Sequence, residues 1–172
     1  MSALQWSITE LSDTLERVNT SDGPNTFALL GDAVWRLTIV DAALVRHHAK
    51  TYDAVMADQT PAGRRVIEGT FAGLRFVRNR ISRDVDLAEF IEPRAPGPGE
   101  QLVTGWTWMS VPEPALASLP PRARSWAMTR YRAYQDQLAG HTIGEIFGRA
   151  VAFLELAARN APSADISAHA AG

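Results

Sequence analysis

The chain has 172 residues, no cysteine, 17 basic against 19 acidic side chains, and a net charge of −2. That length can bury a core without disulfide or metal staples, and the missing thiols exclude a disulfide framework, thiolate zinc sites and cysteine nucleophiles. Charge is uneven: residues 1–60 hold four basic and eight acidic side chains, whereas 64–83 hold six arginines against the single Glu68.

At the N-terminus, "MSALQWSITELSD" has neither the basic region nor the apolar run of a signal peptide. Ser7-Ile8-Thr9-Glu10 reads as a capping box, followed by Ile8, Leu11, Leu15 and Val18 at helical spacing. "TSDGPN" breaks this first helix, and Asn25 is the expected cap of a second. Phe27, Leu30, Val34, Leu37, Leu44, Tyr52 and Val55 carry that second pattern toward Ala57, with a kink or break expected near Gly31 or His47-His48. Its most apolar window, Phe27 to Val45, is interrupted by Asp32, Arg36 and Asp41, so a cytoplasmic protein without a membrane span is expected.

Thr60-Pro61 supplies a cap and a proline at the first helical position, opening a third helix through about Ser82. Its buried stripe comprises Ile67, Phe71, Leu74, Arg78, Ile81 and Val85. "DLAEFI" gives one or two helical turns, and "EPRAPGPGEQ" reads as loop. "LVTGWTWMSV" alternates as an extended segment, and "PEPALASLPP" holds a single turn before a helix over about Arg122–Ala139 that stops at Gly140. Thr142-Ile143-Gly144-Glu145 is a second capping box, leading a helix with Ile146, Phe147, Ala150, Val151, Leu154 and Ala158 on one face. The expectation is an all-α bundle of about five helices forming one domain over 1–160, with an extended or β-hairpin insert near 101–111. The tail, 161–172, has too little apolar bulk to pack and is expected to be disordered.

Several site types find no support: the chain has no glycine-rich phosphate loop, HExxH, calcium loop or G-x-S-x-G elbow. His47 and His48 are adjacent on a helix, point about 100° apart and cannot ligate one metal as a pair; no metal and no cofactor is expected. They read as packing or surface histidines, and His141 as a loop-packing residue. Trp106, Trp108 and Trp126 could stack on bases, against the plainer reading that they seal the core. Arg130, Tyr131, Arg132 and Tyr134 have the composition of a nucleic-acid patch, but helical spacing spreads them around the circumference.

The "FVRNRISRDVD" segment carries the most specific chemistry. Arg78 falls on the apolar stripe of its helix, so its guanidinium needs an acidic partner, a phosphate or an open cleft. Asn79 and Arg83 share the neighbouring face, and Arg80 and Asp84 have ion-pair spacing. A salt-bridged helix end, with cations suited to the dipole, is the plainer alternative.

"RNRISR", Arg78 to Arg83, resembles the R-N-x-x-x-H signature of the HEPN family (higher eukaryotes and prokaryotes nucleotide-binding), whose helical protomers pair to form metal-independent ribonucleases. The resemblance implies that Arg78 holds phosphate, that Asn79 orients the motif and that position 83 carries the catalytic histidine. Here that position is Arg83, which stays protonated and cannot act as a general base. The expected function is therefore a non-catalytic HEPN-like homodimeric module that binds RNA, a nucleotide or a partner protein through Arg75, Arg78, Asn79, Arg80 and Arg83. An active endoribonuclease using a displaced histidine, His47 or His48, is one alternative. A helical interaction module without a nucleic-acid role, its arginines paired with Asp32, Asp41 or Glu89, is the other.

Overall fold

The computed structural model describes residues 3–20, 24–81, 87–94 and 105–161. Six α-helices account for most of them: α1 (Ala3–Thr20), α2 (Pro24–His47), α3 (Ala49–Ala57), α4 (Pro61–Ile81), α5 (Pro121–Gln137) and α6 (Ile143–Asn160). A two-stranded antiparallel sheet, β1 (Ile91–Pro93) with β2 (Trp106–Trp108), lies between α4 and α5 in the chain, in the register Ile91 to Trp108 and Pro93 to Trp106. The fold is the expected all-α bundle with a small hairpin. The long second helix is two helices, because the chain breaks at His48, whose φ of −132° and ψ of 36° leave the helical region.

Three local expectations are corrected. α1 begins at Ala3, so the Ser7 box lies inside a helix that Leu4 already packs against the core. α2 begins at Pro24, one residue before the proposed Asn25 cap, and proline suits a first helical position because its missing N–H has no helical partner there. Glu92 and Pro93, read as loop, belong to β1. Proline is tolerated on so short an edge strand. Arg83, Asp84, Val85, most of the "EPRAPGPGEQ" loop and the C-terminal tail from residue 162 lie outside the described residues.

One continuous core runs through all six helices, from Ile8, Leu11 and Leu15 of α1 to Phe147, Val151 and Leu154 of α6. α1 and α6, far apart in sequence, pack against each other. Trp108 is fully buried edge-on to Tyr134 and Phe147, while Tyr134 reaches back to donate its hydroxyl to the Met109 carbonyl. The second capping box is present: Glu145 N–H donates to Thr142 Oγ1 at 3.2 Å and the Thr142 N–H to Glu145 Oε2 at 2.9 Å. α5 ends as expected near Gly140, whose φ of +81° is the left-handed conformation that glycine adopts without strain.

α4 and α5 run antiparallel and approach very closely at Gly73. A Cβ there would stand 3.1 Å from the Tyr134 backbone and 2.6 Å from Leu138 Cδ1. Toward the C-terminal end of α4 the spacing is filled by rings instead, Phe76 meeting Tyr131, Tyr134 and Phe90. The candidate site lies beyond Phe76, where Asn79 and Arg80 of α4 and Trp126 and Arg130 of α5 line a cleft.

Candidate functional site

α4 directs Arg75 and Arg78 toward one neighbouring helix and Arg80 toward another. Arg75 turns toward α2 and forms an ion pair with Asp41, a carboxylate that is 0 % exposed. Asp41 also accepts a 2.8 Å hydrogen bond from the Tyr52 hydroxyl of α3. Burial raises the Asp41 carboxyl above its ordinary value, with Arg75 and Tyr52 partly offsetting it. Burial and the neighbouring Asp41 push the Tyr52 hydroxyl up as well. Arg75 is thus committed to an internal carboxylate, as the interaction-module alternative anticipates for Asp41.

Arg78 lies one turn further along the same seam. Its Nη1 donates to Thr38 Oγ1 at 3.3 Å, and its guanidinium carbon sits 5.4 Å from the centre of the Trp35 ring, a cation–π distance. The tension in the sequence, a guanidinium on an apolar stripe, is resolved by α2 supplying a hydroxyl and an aromatic face. With Asp41 opposite Arg75 and Thr38 opposite Arg78, α2 and α4 are antiparallel. His47 and His48 therefore lie toward the N-terminal half of α4, about 15 Å along the axis from Asn79 at 1.5 Å per residue. The structure does not bring them to the motif.

Arg80 turns to the α5 side, and it and Asn79 line a cleft of about 740 Å³ between α4, α5 and the Pro114–Pro120 segment. Arg122, Trp126 and Arg130 of α5 line its far side, and Phe76, Leu116 and Leu119 are among the apolar residues of its floor and wall. The wall is built from the proline-punctuated segment, whose single turn closes through Leu119 N–H donating to Leu116 O at 3.0 Å. Its start is tied down where Tyr131 Oη and Gln135 Nε2 both donate to the Val111 carbonyl. Pro121 then starts α5 at a position where proline is favoured.

The chemistry of this cleft is cationic and aromatic. No described lining residue is acidic, and neither Arg80 nor Arg122 has an ion pair among the described residues. Arg130 stands over Trp126, its guanidinium carbon 5.5 Å from the ring centre. Burial, reinforced by the charges of Arg75 and Arg78, lowers Arg130 from the ordinary arginine value. An anion in the cleft would offset the charge that Arg80, Arg122 and Arg130 bring to its lining. Trp126 is 60 % exposed, a large apolar ring left uncovered at the edge of a cleft.

Of the residues marked from sequence, the structure brings Asn79 and Arg80 to the cleft, directs Arg75 and Arg78 to α2, and leaves Arg83 outside the described residues. The three tryptophans do not form one platform: Trp108 is core, Trp106 packs at a tilt against Phe27 and only Trp126 of the three is open. The basic-aromatic run on α5 divides as its spacing implies, Tyr134 inward, Arg132 to solvent and Arg130 into the cleft. Arg122 and the Leu116–Leu119 wall were not legible as site residues. Proline-rich segments have no periodicity from which a facing direction can be read. His141 is exposed at the α6 cap, its backbone carbonyl accepting from Trp108 N–H at 3.0 Å, a loop-packing role. Among the described residues no cluster of histidine, aspartate and glutamate is arranged to hold a metal ion, and no helix is long and apolar enough to cross a membrane.

The fold and cleft define an all-α bundle carrying a basic pocket with one open aromatic ring. Comparison with protein-family models, curated proteins and solved structures gives no match.

Proposed function

We propose that this protein is a non-catalytic helical module that binds a phosphate-bearing aromatic ligand, a nucleotide or a nucleotide unit of single-stranded RNA, in the α4–α5 cleft. The observation that carries this reading is the set Arg80, Arg122 and Arg130 around exposed Trp126, with no acidic residue among the described lining. Guanidiniums bind phosphate oxygens through paired N–H donors. A tryptophan face accepts any base by stacking. In the HEPN resemblance Arg78 holds phosphate, but here Arg78 turns to α2, so of that signature only Asn79 lines the cleft and the reading rests on Arg80, Arg122, Arg130 and Trp126. Arginine, asparagine and tryptophan do not exchange protons near neutral pH, so the described lining suits binding rather than hydrolysis. A cytoplasmic setting belongs to this proposal.

The test is fluorescence anisotropy with a short labelled single-stranded RNA, and competition by a nucleoside monophosphate, across a salt series. Wild type is expected to bind with a steep salt dependence, of slope about −0.7 per phosphate neutralised. Arg80→Ala/Arg130→Ala should weaken binding and flatten the slope. Trp126→Leu should weaken binding with the slope unchanged. Equal binding by wild type and the double arginine variant would overturn the proposal. An internal pairing of the arginines, as Arg75 has with Asp41, favours the second reading, a helical interaction module with no nucleic-acid role. Absence of RNA and nucleotide binding by wild type would support it.

A further inference from the structure

The outer pole of α2 has a pattern that a surface helix does not need. Ala28, Asp32, Trp35, Ile39, Ala42 and Arg46 are all exposed and recur at spacings of four, three, four, three and four residues. The inner pole is already apolar and buried through Leu30, Leu37 and Leu44, so the helix is apolar on both sides. An α-helix of that kind normally has both faces covered. Alternating spacings of three and four place residues in a single straight seam, the arrangement by which one helix packs lengthwise on another. Trp35, 43 % exposed, and Ile39, 54 % exposed, form its centre.

The two charges of this seam identify what covers it. Asp32 lies seven residues before Ile39 and Arg46 seven residues after it. Two copies of α2 packed antiparallel about a two-fold axis near Ile39 therefore set Asp32 of each beside Arg46 of the other. Trp35, a large ring, falls near the small Ala42 across the axis. Parallel packing would instead oppose Asp32 to Asp32 and Arg46 to Arg46, which repels. A surface complementary to its own inverted copy is what a two-fold contact requires. Asp32 already accepts from Arg36 Nε through Oδ2 at 2.7 Å, leaving its other oxygen for a second guanidinium. Arg46 has no ion pair among the described residues. Arg78, stacked on Trp35, lies on the rim of this seam.

We infer that the outer pole of α2 is the contact of an antiparallel homodimer of this chain, centred near Ile39 and locked in direction by reciprocal Asp32–Arg46 pairs. This contact does not depend on what the α4–α5 cleft binds.

Sedimentation equilibrium of the full chain tests it, with circular dichroism to confirm retained helix. Wild type should be dimeric and Ile39→Arg monomeric. Asp32→Arg and Arg46→Asp should each weaken the dimer about tenfold, since symmetry counts each change twice. The double variant Asp32→Arg/Arg46→Asp should regain wild-type affinity, a rescue that general destabilisation does not produce. A monomeric wild type, a dimer unaffected by Ile39→Arg, or a double variant no tighter than its parents overturns the inference.

Discussion

Replacing glycine by alanine in the middle of a helix normally stabilises it by up to about 1 kcal/mol, because alanine restricts the unfolded chain. At Gly73 the sign should reverse. The new methyl would lie 3.1 Å from Tyr134 Cα and 2.6 Å from Leu138 Cδ1. Both residues are fully buried, so neither can move aside without disturbing its neighbours. Overpacking of this kind costs about 1–3 kcal/mol, and after the helix gain a net loss of about 1–2 kcal/mol is expected. Gly148 on α6 is the matched control: a Cβ there meets nothing within 4 Å, so Gly148→Ala should stabilise by about 0.5–1 kcal/mol. Gly69 lies between these cases. Its Cβ would stand 2.6 Å from Cγ of Gln137, a flexible half-buried side chain that can rotate away, so Gly69→Ala should be near neutral. Urea unfolding followed by far-UV circular dichroism ranks the three through their midpoints at constant m. If Gly73→Ala raises the midpoint as Gly148→Ala does, backbone proximity does not set the α4–α5 spacing.

Arg75→Ala should be severe, about 3 kcal/mol near neutral pH, because it leaves the buried Asp41 carboxylate with only Tyr52. Since burial holds the Asp41 pKa above its ordinary 3.8, the folded state binds more protons in that window and stability falls as pH rises through it. The loss in the Arg75 variant should therefore shrink on acidification, as urea titrations at several pH values would show. Thr142→Ala removes the α6 cap and should cost about 1 kcal/mol by thermal melting. Glu145, held below the ordinary glutamate value by the Thr142 backbone N–H and then its hydroxyl, adds stability present above that value and lost as pH falls through the depressed one. Tyr134→Phe keeps the ring packing but orphans the Met109 carbonyl, for an expected loss of about 1 kcal/mol in the same urea assay.

Local chemistry made some boundaries legible. Thr60-Pro61 and Thr142–Glu145 start helices because their hydrogen bonds and backbone angles are satisfied within a few residues. Ser7–Glu10 has the same letters but sits inside α1, since Leu4 packs on the core and extends the helix upstream. A cap pattern is permissive, and a tertiary contact decides whether it is used. β1 left no readable signal because Ile91–Pro93 becomes a strand only when Trp106–Trp108 comes alongside. The same limit applies to the site. Arg78 on an apolar stripe announced that it needed a partner, yet whether phosphate, carboxylate or ring supplied it depended on α2. The cleft itself is made by Arg122, Leu116 and Leu119 meeting Arg80 across helices, a juxtaposition that sequence spacing does not encode.

The packing of α1 against α6 has a consequence for how the chain reaches this state. α1 leaves the ribosome long before α6, yet α6 covers it: Ser12, Leu15 and Glu16 line a groove with Phe147, Gly148 and Val151. Until α6 has been synthesised, Leu11 and Leu15 lack part of their cover, and the sequence separation makes the closing contact a costly late loop. Nascent chains ending before α6 should be sticky and recognised by chaperones, and release of α6 should be the event that closes it over α1.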